Sequence, residues 1–447
     1  MHVTGRLAAA LAAGVIPVIA VSAAGAAVSG VWTTAGAWVL LCLLLVTLDV
    51  VRSASPRAVS VERLIPARAL RDQPTPTTVL LRNDGPRRLR GALRDGWQPT
   101  AGAPAERTPV DVPPGERRAY AVPLQPRRRG TLRTGFVALR TTGPLGLAGR
   151  QARIDAPGEL RVLPPFTARR HLPSRLARLR ELDGNTSVQV RGQGTEFDSL
   201  REYVRGDDVR SIDWRATARA GTTMLRTWRP ERDRHVVIVI DTGRTAAARV
   251  GDGVRLDAAM ESALLLAALA ARAGDHVHLL MFDRMTRARV TRTDGAALLP
   301  ALVDAMAPVE PQLIDTDWDA AFAQVRALTS RPSLVVLLTA QDAVDAARGF
   351  LGSLSAVTRR AHVLVGTVTE ATTHDRRGRD AAGASAVGAT TSDDVYREAA
   401  LARAERDAAA VAAAVGRAGG EAISAGPEEL PPVLADRYLA LKAAGRL

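Results

Sequence analysis

Residues 192–242 read GQGTEFDSLREYVRGDDVRSIDWRATARAGTTMLRTWRPERDRHVVIVIDT. The end of this stretch decides the fold. Val236-Val237-Ile238-Val239-Ile240 is an unbroken β-branched run closed by Asp241, the pattern of a strand buried on both faces, as in a parallel sheet. An acid just past the C-terminal end of such a strand stands where open α/β sheets place their ligands. The first half of the stretch is dense in charge. It carries Phe197, Tyr203 and Trp214 in a chain that is only 4% aromatic.

Downstream of Asp241, strands and helices alternate. Leu256, Met260, Ala263, Leu264 and Ala267 recur at helical spacing. Strands are expected at 277–282, at 333–338, at 363–368 and at 422–424, with a short edge strand at 288–293. Helices are expected at 296–307, at 318–328, at 396–417 and from about 428 onward, and 369–394 reads as loop. Such alternation specifies a mostly parallel sheet with helices on both faces.

Upstream, residues 58–165 are rich in Pro and Gly, with strands expected at 77–82, 119–124, 130–140 and 160–163. Closely spaced short strands suggest a small antiparallel β-sandwich. Residues 166–233 form a charged segment with helical pieces expected at 172–182 and 197–204. In the same reading Met224–Trp228 and His235–Ile240 form a hairpin through Pro230.

From Leu7 to Leu48 no residue is charged, which is enough for two spans of about 20 residues each. These are placed at about 7–28 and 31–51, with a tight turn at Gly30 and with Trp32 and Trp38 as interfacial anchors. Arg6 precedes the pair; Arg52, Arg57 and Arg63 follow it. The positive-inside rule then puts both ends in the cytosol, at the cell membrane. In the rival reading the first span is a cleaved signal peptide ending in the small residues Ala23–Ala27, and the second span returns the chain to the cytosol. The organisation is thus a transmembrane hairpin (1–52), a β domain (58–165), the charged segment (166–233) and an α/β domain (234–447).

The formal charge of +14 invites a nucleic-acid-binding reading. Yet Lys442 is the sole lysine, and the arginines are spread along the chain rather than gathered in a stripe, which weakens that reading. An arginine- and alanine-rich composition is also what a GC-rich coding sequence gives. Cys42 is the only cysteine, so there is neither a disulfide framework nor a cysteine-based zinc site. No G-x-x-x-x-G-K-[ST], G-x-S-x-G or H-E-x-x-H occurs. His235, His276, His278 and His362 sit at strand starts and read as structural. Enzymatic activity is not expected; a hydrolase of unknown type would need converging ionisable groups.

The run GTEFDSLREYVRGDDVRSIDWRATAR, followed closely by a strand ending in Asp241, resembles the signature of the domain-of-unknown-function 58 family. Gly143-Pro144-Leu145-Gly146-Leu147 and the closing YLALKAAGRL (Tyr438–Leu447) are similar to that family's pattern as well. The resemblance implies two membrane spans and a C-terminal domain of von Willebrand factor type A-like fold. It also implies a partner, an AAA+ ATPase of the MoxR type, with the chain acting as an adaptor or scaffold in protein assembly or maturation. The lipid bilayer is the other expected partner, and nucleic acid is not expected.

The type A fold can carry a metal-ion-dependent adhesion site, in which oxygens from three loops hold Mg²⁺. The positions matching it are Asp241 and Thr245 in the first loop, Thr316 in the second, and Asp342, displaced by two, in the third. Gly243 lacks the expected hydroxyl, Ala340 stands where the acid belongs, and Arg244 adds a cation. The pattern is degenerate; no cofactor is expected, Mg²⁺ being the one ion it could take. In the charged segment, Glu196, Phe197, Arg201, Tyr203, Asp207, Arg210, Asp213 and Trp214 are the candidate interaction residues. Two readings stand: an internal ion-pair network joining the two domains, or a docking face.

Overall fold

The apolar N-terminus folds as α1 (Gly5–Ala13) and α2 (Val15–Ala23), which together make one span, and α3 (Val28–Arg52). In this computed structural model the described residues are 1–189, 196–205, 207–229, 234–251, 253–341, 343–369 and 392–447, with side chains excepted at 183–189, 196–198, 227–229, 392–395, 397–398 and 401. Both helical stretches are long and apolar enough to cross a membrane. The first ends at Ala23 rather than near residue 28, because the chain turns through Gly25 in the left-handed region (φ 76°). The break between α1 and α2 precedes Pro17, whose ring cannot donate a helical N–H and crowds the carbonyl four residues back. Trp38 is not an anchor at the turn: its indole N–H donates to the Ala10 carbonyl across the hairpin, at 3.0 Å.

The chain divides into two compact units, Met1–Leu163 and Pro164–Leu447. The first contains, besides the helices, β1 (His2–Val3), β2 (Val59–Leu64), β3 (Arg68–Leu70), β4 (Thr75–Asn83), β5 (Leu89–Trp97), β6 (Thr108–Val112), β7 (Arg117–Leu124), β8 (Gly130–Thr142) and β9 (Ala148–Leu163). One sheet runs β1-β9-β8-β5-β6 with β3 added parallel to β9; the other runs β2-β4-β7. Alternate residues of each strand turn inward, so that Val79 and Leu81 of β4 meet Leu93, Leu139 and Leu160 in one core. Five strands escaped the sequence reading (β1, β2, β3, β5 and β6). Gly91 and Gly96 interrupt β5, and Arg63, one of the arginines counted as flanking the spans, turns inward to pair with Asp95 at 2.7 Å.

The second unit opens with α4 (Leu172–Gln189) and then a two-stranded hairpin, β10 (Glu196–Glu202) against β11 (Met224–Arg229), enclosing the short helix α5 (Trp214–Ala220). Two expectations fail here. The 197–204 piece is strand, not helix, and β11 pairs with β10 rather than with the apolar run. That run, β12 (His235–Asp241), instead has parallel neighbours on both edges, the arrangement an uninterrupted apolar strand needs.

After the small ribbon β13 (Arg249–Val250) and β14 (Gly253–Val254) come α6 (Arg255–Arg272), β15 (His276–Phe282), β16 (Thr286–Val290), α7 (Leu298–Met306), α8 (Trp318–Leu328), β17 (Leu334–Leu338), α9 (Arg348–Thr358) and β18 (His362–Val368). A helix Ser392–Arg417, β19 (Glu421–Ala425) and a helix Leu430–Ala443 follow. The sheet order is β16-β15-β12-β17-β18-β19, parallel except for the edge strand β16. Helix α9 was not foreseen, and most of the expected 369–394 loop lies outside the described residues.

Alternate residues of β12 face opposite cores. Val236, Ile238 and Ile240 pack with Leu256, Met260 and Leu264 of α6; Val237 and Val239 pack with Trp318, Phe322 and Phe350. Helices therefore cover both faces. The C-terminal helix is tied in by a buried polar cluster: Tyr438 Oη donates to Asp275 (2.5 Å), and Lys442 Nζ donates to the same carboxylate (3.0 Å). The one lysine of the chain is thus spent on a buried carboxylate.

Candidate functional site

Asp241 ends β12 at the C-terminal edge of the sheet and is 3% exposed. Its oxygens accept from Thr316 Oγ1 (2.5 Å), Thr339 Oγ1 (2.6 Å), the Gly243 amide (2.8 Å) and, at 3.5 Å, Thr245 Oγ1. Burial pushes the carboxyl above its usual range, and the bonds from Thr316, Thr339 and Gly243 oppose that shift. The loop therefore brings together three of the four residues expected at a cation site: Asp241, Thr245 and Thr316. Asp342 lies outside the described residues.

Thr339 was not foreseen; a hydroxyl residue directly before Ala340 was the available signal. Gln341 Nε2 donates to its Oγ1 at 3.0 Å. The donors do not fit a divalent cation. Among the described residues of the set Asp241 is the only carboxylate, and its acceptors are turned onto neighbouring hydroxyls. A Cβ at Gly243 would stand 2.4 Å from Thr316 Oγ1, so the missing serine hydroxyl has no room. Asp315 pairs with Arg244 (3.2 Å), and Asp317 caps α8 through the Ala320 amide (3.0 Å). Among the described residues no group of three His, Cys, Asp or Glu could hold a metal ion.

Beside it, Asp283 directly follows β15, fully buried against Arg287 Nε at 2.6 Å and Thr242 Oγ1 at 2.9 Å. Burial alone would raise this carboxyl; Arg287, the Arg284 amide and Thr242 instead hold it below the usual range. At the opposite end of the sheet, His235 Nδ1 and His278 Nε2 are 2.9 Å apart, and burial followed by the charges of His235 and His276 lowers His278. These histidines bridge strand starts.

The charged segment resolves into local roles. Arg201 pairs with Asp207 (2.7 Å), whose second oxygen accepts from the Val204 amide. Asp208 accepts from the Arg210 amide (3.0 Å). Asp213 caps α5 by accepting from the amides of Arg215 and Ala216 and pairs with Arg226 at 2.7 Å. The bonds from the Ala216 amide and Arg226 hold Asp213 below the carboxylate range. Tyr203 donates its backbone N–H to Thr223 O, and the Arg210 side chain is exposed. Glu196 and Phe197 are strand positions opposite Arg229 and Trp228. Trp214 is 71% exposed, and Val204, Val209 and Leu200 of the same segment are exposed as well.

A third feature is Asp49, the acid that ends the uncharged N-terminal run. It is fully buried and accepts from three amides of one loop: Leu145 (2.8 Å), Leu147 (2.7 Å) and Ala148 (2.9 Å). Gly143 must be glycine, since a Cβ there would meet Asp49 Oδ1 at 2.1 Å. Arg150 Nε donates to the Val50 carbonyl at 3.2 Å, and Arg87 donates to that of Val51. These cations satisfy the last carbonyls of α3. Gly143–Leu147 is thus an anion nest for a helix-borne carboxylate.

Residues 199–380 match the model of a family described as a protein of unknown function, DUF58. Over that segment the chain is similar to DUF58. The matched part contains β10 from Ser199 onward, the Asp207–Trp214 turn, β11, β12 and the Asp241 cluster; Asp49 and its nest lie before it. No curated protein matches the chain. Among solved structures, the SpRpn10 VWA domain aligns at 12% identity with a TM-score of 0.28, covering 46% of this chain and 94% of that one. The CARDB domain of a Pyrococcus furiosus protein aligns at 14% identity with a TM-score of 0.18, over 23% of this chain and 86% of that one.

Proposed function

We propose that this DUF58 chain is a membrane-anchored, cytosol-facing adaptor whose α/β domain, of von Willebrand factor type A-like architecture, works with a MoxR-type AAA+ ATPase. The observation that carries the reading is the β10–β11 hairpin. Asp207, Asp208 and Asp213 are engaged in pairing and capping, so they hold the hairpin's own shape, while Trp214, Val204 and Val209 stand exposed on it. Exposed tryptophan with apolar neighbours is the composition of an interaction hot spot. The partner's identity comes from the DUF58 resemblance. Support for the anchor is the apolar surface of the helices: Ile16 is 71% exposed, Leu40 68% and Leu44 66%, a patch that water does not tolerate and lipid covers. The arginines at the helix ends support the orientation.

The test is co-expression of the tagged full chain with a MoxR-type ATPase, purification in detergent, and measurement of bound ATPase and of the chain's melt. Trp214→Ala should leave the melt unchanged and weaken ATPase retention by about thirtyfold, the effect of a hot-spot residue worth about 2 kcal/mol. Asp213→Ala should lower the melt detectably, through the lost cap, and Arg210→Ala should not. Full retention of the ATPase by Trp214→Ala would remove the hairpin from the interface.

A further inference from the structure

An open cavity of about 520 Å³ lies in the N-terminal unit where β1 passes into α1. Its floor is the loop of Gly143, Pro144 and Gly146, the same loop that cradles Asp49. Four guanidinium groups and an imidazole line it, from Arg6, Arg90, Arg107, Arg140 and His2; among the described residues lining it none is acidic.

The local bonds do not neutralise this charge. Arg140 Nε donates to the neutral Gln151 at 2.6 Å. Arg90 comes no nearer than 3.9 Å to Asp111, which Arg88 already holds by two bonds of 2.6 and 2.7 Å. Arg107 Nη1 and His2 Nδ1 are buried polar atoms with no hydrogen-bond partner, an unfavourable arrangement for a buried polar group. Burial, then Arg140 and Arg94, hold the Arg107 guanidinium below its usual range; burial and then Arg140 do the same to His2. Like charges gathered around unpaired donors describe a site waiting for an anion, and guanidinium forks match phosphate oxygens two at a time.

The level of the cavity narrows the choice. Arg6 is in the first turn of α1, and the loop of the floor is bonded to the last turn of α3. Both apolar helices therefore end here. We propose that the cavity binds a phosphate group, supplied by the headgroup of an acidic membrane lipid. The lipid source rests on the reading that the helices cross the bilayer; the phosphate chemistry does not.

The experiment uses the full chain, stripped of lipid in detergent, with phosphatidylglycerol, phosphatidylcholine and inorganic phosphate as probes and native mass spectrometry as the readout. Wild type should retain phosphatidylglycerol about tenfold more tightly than phosphatidylcholine, and millimolar inorganic phosphate should not displace it. Arg107→Gln combined with Arg140→Gln should abolish the preference, with Arg107→Lys partly keeping it as a control for folding. Arg88→Gln, outside the cavity, should leave it unchanged. Equal retention of the two lipids, or a preference untouched in the double variant, would overturn the proposal. Saturable micromolar binding of inorganic phosphate that displaces the lipid would overturn the lipid source and leave a soluble phosphate ligand. Carbonate extraction of membranes decides the anchor separately: release of the wild-type chain would fail the membrane reading whatever the cavity binds.

Discussion

Replacing Asp49 by alanine should detach the Gly143–Ala148 loop from the end of α3 and strongly destabilise the N-terminal unit. Three amides, those of Leu145, Leu147 and Ala148, the last fully buried and the others partly so, would lose this acceptor. A buried donor left unsatisfied costs about 1–3 kcal/mol; with two of the three only partly buried, the sum is on the order of 3–6 kcal/mol, a large share of the roughly 5–15 kcal/mol that holds a domain together. Moreover, a carboxylate near a helix C-terminus is disfavoured by the helix dipole. Its presence there makes sense only if the loop amides repay it. Hydrogen exchange of the full chain in detergent is the direct reading: exchange at those three amides should accelerate in Asp49→Ala, and limited proteolysis should open the loop. Unchanged protection at all three would show that the loop holds itself.

The second large effect is expected at Asp241. Asp241→Ala leaves Thr316 Oγ1, Thr339 Oγ1 and the Gly243 amide without their acceptor at a buried site. Hydroxyls can turn to other partners, so the expected loss is about 2–4 kcal/mol, seen as a fall of roughly 5–12 °C in the melt of the α/β unit. Asp241→Asn keeps the shape and one acceptor oxygen and should cost less. The sign of the pH dependence separates the two further. Burial raises the Asp241 carboxyl in the folded state. The folded chain therefore holds its proton longer than the unfolded chain does. Stability from this group is complete below the ordinary carboxylate value and declines as pH rises through the raised one. Wild type should lose ground to Asp241→Asn as pH increases above about 4, the ordinary carboxylate value. A gap constant with pH would mean that the carboxyl titrates normally.

The sheet was legible because its strands are apolar on both faces: β12, β15, β17 and β18 all lie within a residue or two of their expected limits. The Asp241 cluster was legible in part, since Asp241, Thr245 and Thr316 follow a spacing, whereas Thr339 joins through the register of β12 with β17. The charged segment misled. Phe197, Leu200 and Val204 stand three and four apart, a helical spacing, and pairing with Met224–Arg229 overrides it. Asp49 ended the uncharged run in plain view, but its partners lie 96 to 99 positions away. Nothing local marks a loop of amides as an acceptor's nest. Likewise Gly143-Pro144-Leu145-Gly146-Leu147 stood out as a motif with no assignable task until the fold set it against α3.

At the C-terminal edge of the α/β sheet, Asp241 closes a hydrogen-bonded knot with Thr316, Thr339 and the Gly243 amide rather than presenting free oxygens to a cation. Calorimetric titration of the full chain with Mg²⁺ and Mn²⁺, wild type beside Asp241→Asn, tests this most directly. The expected result is no saturable heat at micromolar concentrations in either protein. Micromolar binding by wild type that disappears in Asp241→Asn would contradict it, and would mean that the hydroxyls of Thr245, Thr316 and Thr339 turn outward to hold a metal.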